Sequence, residues 1–179
     1  VKEELRKYRV LKAGKVDRKP LVSVLVPAWE EEVGIINTIK SVLNNTYKNV
    51  ELVVVNDGSE DKSDAIVTKF LNTEYSERKN DVWEGKVIKY YYKEREGKGK
   101  ALNYALDRSN GEIIMTIDAD STLKSDAISN LVNYYADDKI DGVVGNVLVA
   151  NYNSIIGITQ YLEYLFGFYF KRAHAVLSA

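Results

Sequence analysis

Cysteine is absent from the 179-residue sequence, and histidine occurs once, at His174. Disulfides and thiolate metal centres are therefore excluded, and a lone imidazole cannot build a zinc site. Any bound metal would be held by carboxylate oxygens, which favours Mg2+ or Mn2+. Neither sign of charge is in excess: 25 basic residues stand against 26 acidic ones. A nucleic-acid binder usually carries a basic surplus, so no nucleic-acid partner is expected. Long apolar runs are also lacking. The closest, Ile155 to Phe170, is interrupted by Gln160 and Glu163 and falls short of a bilayer span. The basic N-terminus has no apolar stretch of the kind a signal peptide needs. What remains is 45% hydrophobic and 28% charged, the composition of a globular domain long enough to bury a core.

Proline is scarce as well, and its two copies, Pro20 and Pro27, bracket the compact apolar run Leu21 to Val26. That run reads as a buried strand. Residues 1–19 before it form a polar lead-in, with a helix expected near Glu3 to Tyr8, and residues 20–179 form one domain. From Pro27 the chain alternates. Helices are expected over Val33 to Leu43, from Ser63 through Leu71, over Lys100 to Arg108 and over Asp126 to Tyr135. Strands are expected over Val50 to Val55, Val87 to Tyr92, Ile113 to Ile117 and Val143 to Val149. Glu74 to Gly85 reads as a polar loop, and Ser154 to Leu177 as a long aromatic helix. Short apolar strands alternating with amphipathic helices specify an α/β fold with a mostly parallel sheet flanked by helices. Ligands in such sheets sit beyond the carboxyl ends of the strands.

Polar clusters follow those ends. Asp118-Ala119-Asp120 comes after the fourth strand. Two carboxylates so spaced can share a divalent cation that keeps open positions for phosphate oxygens, although Asp120 can equally cap the following helix. Asp57, in Asn56-Asp57-Gly58-Ser59, can accept a hydrogen bond from a base or simply make the Asp-Gly turn. Trp29, in Pro27-Ala28-Trp29-Glu30-Glu31-Glu32, can stack on a nucleobase or pack against the fold. Gly97-Lys98-Gly99-Lys100 can offer amides and ammonium groups to a phosphate at a helix start, or be an exposed turn. It is not a Walker loop.

Taken in order, these motifs resemble those of the family 2 glycosyltransferases of the GT-A, Rossmann-like fold. The donor-binding half of processive poly-N-acetylglucosamine, chitin-oligosaccharide and hyaluronan synthases is especially similar. The family's Pro-Ala-Tyr-Asn-Glu-Glu stands here as Pro27 to Glu32, its Val-Asn-Asp-Gly-Ser as Val55 to Ser59. Its Gly-Lys-Ala-x-Ala-Leu-Asn becomes Gly97 to Asn103, and its Asp-Ala-Asp is Asp118 to Asp120. Gly145-Asn146-Val147, Gln160-x-x-Glu163-Tyr164 and Lys171-Arg172-Ala173 add to the likeness.

The resemblance implies an inverting enzyme that takes a UDP-sugar, UDP-N-acetylglucosamine or similar, to a glycan or lipid-linked acceptor. It implies a donor site of Pro27, Ala28, Trp29, Glu31, Asp57, Lys98, Asp118 and Asp120. Trp29 would lie against uracil, Asp57 would bond its ring nitrogen, Lys98 would support the diphosphate, and Asp118 would contact ribose or sugar. Asp120, with Asp118, would hold the metal. Glu30 in place of asparagine adds negative charge near that site. The family's catalytic base lies downstream, in a Glu-Asp motif not present here. The expectation is a C-terminally truncated GT-A domain, weak or inactive alone, cytoplasmic or on the cytoplasmic face of a membrane. Its aromatic C-terminal helix is expected to pack on the sheet, and the apolar surface that truncation leaves exposed around Tyr161 to Phe170 would mediate membrane or self-association. The rivals are a non-catalytic nucleotide-binding module, a sugar nucleotidyltransferase, which normally needs a Gly-rich loop after the first strand, and, less well, a phospho-receiver domain.

Overall fold

The computed structural model describes residues 19–137, 139–149, 156–164, 166 and 167. The polar lead-in up to residue 18, with its expected helix, lies outside them. Four strands, β1 (Val22–Ala28), β2 (Val50–Asp57), β3 (Lys86–Lys93) and β4 (Ile113–Thr116), form one sheet in the order β3-β2-β1-β4. Every neighbouring pair is parallel, with Val24 beside Leu52 and Met115. The mostly parallel α/β layer read from the sequence is therefore the observed one.

β1 and β2 are buried along their whole length because they are central and covered on both faces. Edge strands β3 and β4 are only partly buried. One face packs Val22, Val24, Val26, Leu52 and Val54 against Ile35, Ile39 and Val42 of α1 (Ile35–Leu43) and Val67 and Phe70 of α2 (Ser63–Phe70). The other packs Leu25, Val53 and Val55 against Ala101 and Ala105 of α4 (Lys98–Leu106). Alanine at both positions lets that helix lie close to the sheet. Glu51, buried at the start of β2, is matched by Lys89, the Ser23 hydroxyl and Asn110, as a buried charge requires.

The segment read as a loop, Glu74 to Gly85, is corrected in its first five residues, while residues 79–85 are turns. A π-helical turn (Leu71–Tyr75) and the short helix α3 (Ser76–Arg78) extend α2. Trp83 then turns inward, 1% exposed, between Phe70 and Tyr75, and its indole N–H donates to Asn44. Polar neighbours hid this core residue from any periodicity. The Lys86 ammonium donates to the carbonyls of Leu43 and Asn45 and so caps α1.

Element boundaries move by one or two residues, and two helix starts matter for the site. α1 begins at Ile35, leaving Val33 exposed, and α4 begins two residues before Lys100. The expected fifth strand is not formed. Residues 141–149 have no regular structure, and Val144, Val147 and Leu148 are exposed. A valine-rich run has strand propensity, but a strand needs a ladder partner, and none among the described residues pairs with it. α5 (Ala127–Tyr134) matches the helix expected over Asp126 to Tyr135. Contacts divide the chain after Val132, and the described residues beyond belong to a second unit. In it 156–164, 166 and 167 are helical, with Leu162, Tyr164 and Phe166 exposed. No helix among the described residues is long and apolar enough to cross a membrane.

Candidate functional site

Strand order sets the location. The chain moves outward from β1 to β2 to β3 and then returns to the far side of β1 for β4. The reversal opens a crevice at the carboxyl ends of β1 and β4, where open α/β sheets bind ligands. A cavity of about 300 Å³ lies there, lined by Pro27, Ala28, Trp29, Glu31, Asp57, Lys98, Asp118 and Asp120. Every site residue expected from the sequence is on its wall. Gly97 and Ala119, from two of the expected motifs, complete the lining with Arg95, which was not anticipated.

Loop-to-loop hydrogen bonds hold the wall. After β1, the amides of Glu30, Glu31 and Glu32 donate to the side chains of Ser59, Ser63 and Asp61. The start of α1 meets the Asp118-Ala119-Asp120 turn: Thr38 donates to the Ala119 carbonyl at 2.7 Å. A Cβ on Gly34 would stand 3.2 Å from the Asp120 backbone. Glu30 does not line the cavity, so the negative charge entering the site comes from Glu31 instead. The Glu30 backbone adopts a left-handed φ of 55°, which costs an ordinary side chain about 1 kcal/mol and asparagine less. Glu30→Asn should therefore raise stability by about 0.5–1 kcal/mol, measured by urea denaturation; an unchanged midpoint would contradict this account of the turn.

Asp57 is buried and does more than make a turn. One carboxylate oxygen accepts from the Lys93 ammonium at 2.8 Å and the Glu96 amide at 3.1 Å, the other from the Gly97 amide at 2.6 Å. Burial alone would raise its pKa, but the Lys93 ammonium and the two amides outweigh burial and hold the carboxyl below its ordinary value. Asp57 thus ties the loop after β3 to the end of β2 and sets where α4 starts. Gly58, at φ 71°, lets that loop approach: a Cβ there would meet the Arg95 amide at 2.7 Å.

The loop delivers two cations to the cavity. The Arg95 guanidinium lies 3.6 Å above the centre of the Trp29 ring, a cation–π contact. Lys98, the first residue of α4, reaches Asp118 at 2.6 Å. Asp120 accepts a hydrogen bond from Ser121. Among the described residues no lysine or arginine is ion-paired with Glu31 or Asp120. Burial, then the charges of Asp120, Asp61 and Asp118, raise the Glu31 pKa. Glu31 and Asp120 thus give the cavity hard oxygen donors that no lysine or arginine pairs with, beside an Asp118 already paired with Lys98. No group of three acidic or histidine side chains among the described residues converges into a ready-made cage. One or two carboxylates completed by phosphate oxygens is the usual arrangement for Mg2+, so the residues present fit a shared cation.

Sequence comparison decides the family. The profile of Glycosyl transferase family 2 matches residues 23–177. The chain belongs to that family. This family 2 chain is 34% identical over 114 residues to an uncharacterized glycosyltransferase of Rickettsia typhi, covering 64% of the chain and 31% of the relative. It is 29% identical over 150 residues to the poly-beta-1,6-N-acetyl-D-glucosamine synthase of Staphylococcus aureus, covering 83% of the chain and 34% of the relative. The chain thus spans about a third of these curated relatives. Among solved structures, a mannosyltransferase of Pyrobaculum calidifontis in complex with GDP-Man and Mn2+ aligns with a TM-score of 0.59 at 30% identity, covering 74% of this chain and 39% of that one. S. aureus TarS in complex with UDP aligns with a TM-score of 0.55 at 22% identity, covering 73% and 42%, and so shares the fold.

Proposed function

We propose that this family 2 chain is the donor-binding part of an inverting glycosyltransferase that uses a UDP-sugar. The reading rests chiefly on one observation: residues from four distant segments line one crevice at the carboxyl ends of the strands. In it, Trp29 would stack on uracil through the ring face opposite Arg95, and Asp57 would offer a hydrogen bond. A carboxylate has about four acceptor positions; three are used by Lys93, Glu96 and Gly97, and one is left for the ring N–H. The diphosphate meets the N-terminus of α4, whose free amides and dipole favour anions, together with Lys98. Asp120, with Asp118, would hold Mg2+ or Mn2+, which when bound supplies Lewis-acid stabilisation of the departing diphosphate. Transfer also needs a general base to take the acceptor's proton. No described residue is assigned that role, so the chain alone should be weak or inactive in transfer.

N-acetylglucosamine is the proposed sugar, because the S. aureus relative is named for that polymer and a second TarS structure contains UDP-GlcNAc. The same relative's name, that of a polysaccharide synthase, supports a glycan acceptor; a lipid-linked acceptor and a place on the cytoplasmic side of a membrane belong to the proposal alone. GDP-mannose is the second reading, favoured by the 30% identity to the mannosyltransferase. Calorimetry with UDP and GDP, each with and without Mn2+, tests both. Manganese-dependent UDP binding at least about tenfold tighter than GDP is the expected result, a difference of ~1.4 kcal/mol. The reverse order replaces uridine by guanosine. Absence of binding to either returns the chain to the status of a non-catalytic module.

A further inference from the structure

We propose that Lys98 competes with the divalent cation for Asp118, so that cation binding transfers the Lys98 ammonium from Asp118 to the donor's phosphates. The inference deepens the proposed function and rests on it. The ammonium lies 2.6 Å from an Asp118 carboxylate oxygen, within the space a cation ligated by that oxygen would fill. Two positive charges cannot share that oxygen without strong repulsion.

The pair is also cheap to break. Its two side chains are 63% and 58% exposed, and exposed ion pairs contribute little to stability. The other cations near the cavity are differently placed. Lys93 is 10% exposed and bound to Asp57 and Glu96, Lys100 pairs with Glu96, and Arg95 lies on Trp29. Among these cations Lys98 alone sits on a member of the aspartate pair.

The backbone keeps its destination close. Glu96 and Gly97 are tied to Asp57, so the start of α4 stays in place while the Lys98 side chain rotates about its flexible stem. The anion-attracting end of α4 is where Lys98 begins. An ammonium displaced from Asp118 therefore meets the phosphates at its own helix terminus. Lys98 is thus a positioning residue with opposite effects on the two ligands: it hinders the cation alone and helps the nucleotide.

Lys98→Met keeps the stem and removes the charge, and exposure of the pair keeps folding out of question, which a thermal melt verifies. Free Mn2+ is measured by electron paramagnetic resonance in the absence of nucleotide, and UDP by calorimetry at saturating Mn2+. The expected result is a sign reversal. The variant binds Mn2+ about two- to fivefold more tightly than the parent and UDP about tenfold more weakly. Lys98→Arg, which keeps the charge, retains the weaker, parent-like Mn2+ affinity. Mn2+ binding by Lys98→Met that is unchanged or weaker overturns the competition and leaves the donor-site reading intact. A parent protein that binds neither Mn2+ nor UDP overturns both.

Discussion

Asp120→Ala should abolish the manganese dependence of UDP binding and weaken binding in manganese by about a hundredfold, ~2.7 kcal/mol. Asp120 is exposed at the cavity, and among the described residues no lysine or arginine neutralises it, whereas Asp118 already pairs with Lys98. Of the two aspartates it is therefore the more available to a cation. The backbone at this position is held independently, by the packing of Gly34 and the Thr38–Ala119 hydrogen bond. Removing the side chain leaves the turn in place, so the melting temperature should stay nearly unchanged, as for most exposed substitutions. Calorimetry with and without Mn2+ measures the effect. Full manganese-dependent binding by the variant would remove Asp120 from the cation site.

Asp57→Ala should have the larger effect on the fold. The change leaves the Lys93 ammonium and the amides of Glu96 and Gly97 without their shared acceptor. Breaking a buried, hydrogen-bonded charge pair from one side costs about 3 kcal/mol, which lowers the melting temperature of a chain this size by roughly 10 °C. Nucleotide binding should fall with it, because the loop carrying Arg95 and Lys98 loses its anchor. The pH dependence has a definite sign. The folded protein holds Asp57 below its ordinary pKa of 3.8, so the unfolded chain takes up the proton first. Its stabilisation is complete above the ordinary value and is lost as pH falls through 3.8 toward the folded one. Glu51 is lowered too and acts in the same direction near its own ordinary value. Glu31, raised, acts in the opposite one. Comparing the parent with Asp57→Asn by denaturation between pH 3 and 7 isolates the Asp57 contribution. A constant difference across that range would show that Asp57 carries no such linkage.

How much of this was legible in advance varies with the physical origin of each feature. The two central strands announce themselves in the β-branched runs around Val24 and Val53, because a strand covered on both faces must be apolar throughout. The eight expected wall residues were recognisable from their place after strands and from their likeness to a family. Arg95 escaped notice: in Lys93-Glu94-Arg95-Glu96 it is one charge among several, and nothing local says it will stack on Trp29. Trp83 was hidden among polar neighbours. Residues 143–149 misled in the other direction, since valine content measures fitness for a sheet and not the presence of a partner strand.

The sequence by itself determined the alternation of strands and helices, the carboxylate chemistry available to a metal, and membership of a family, because periodicity and motif spacing are local properties. Only the tertiary structure decided that Asp57 clamps a loop, that Arg95 covers the Trp29 ring, and that Lys98 stands on Asp118. Those pairings join segments distant along the chain. Their energies depend on separation and burial in space, which the crossovers of the sheet create and no local pattern records.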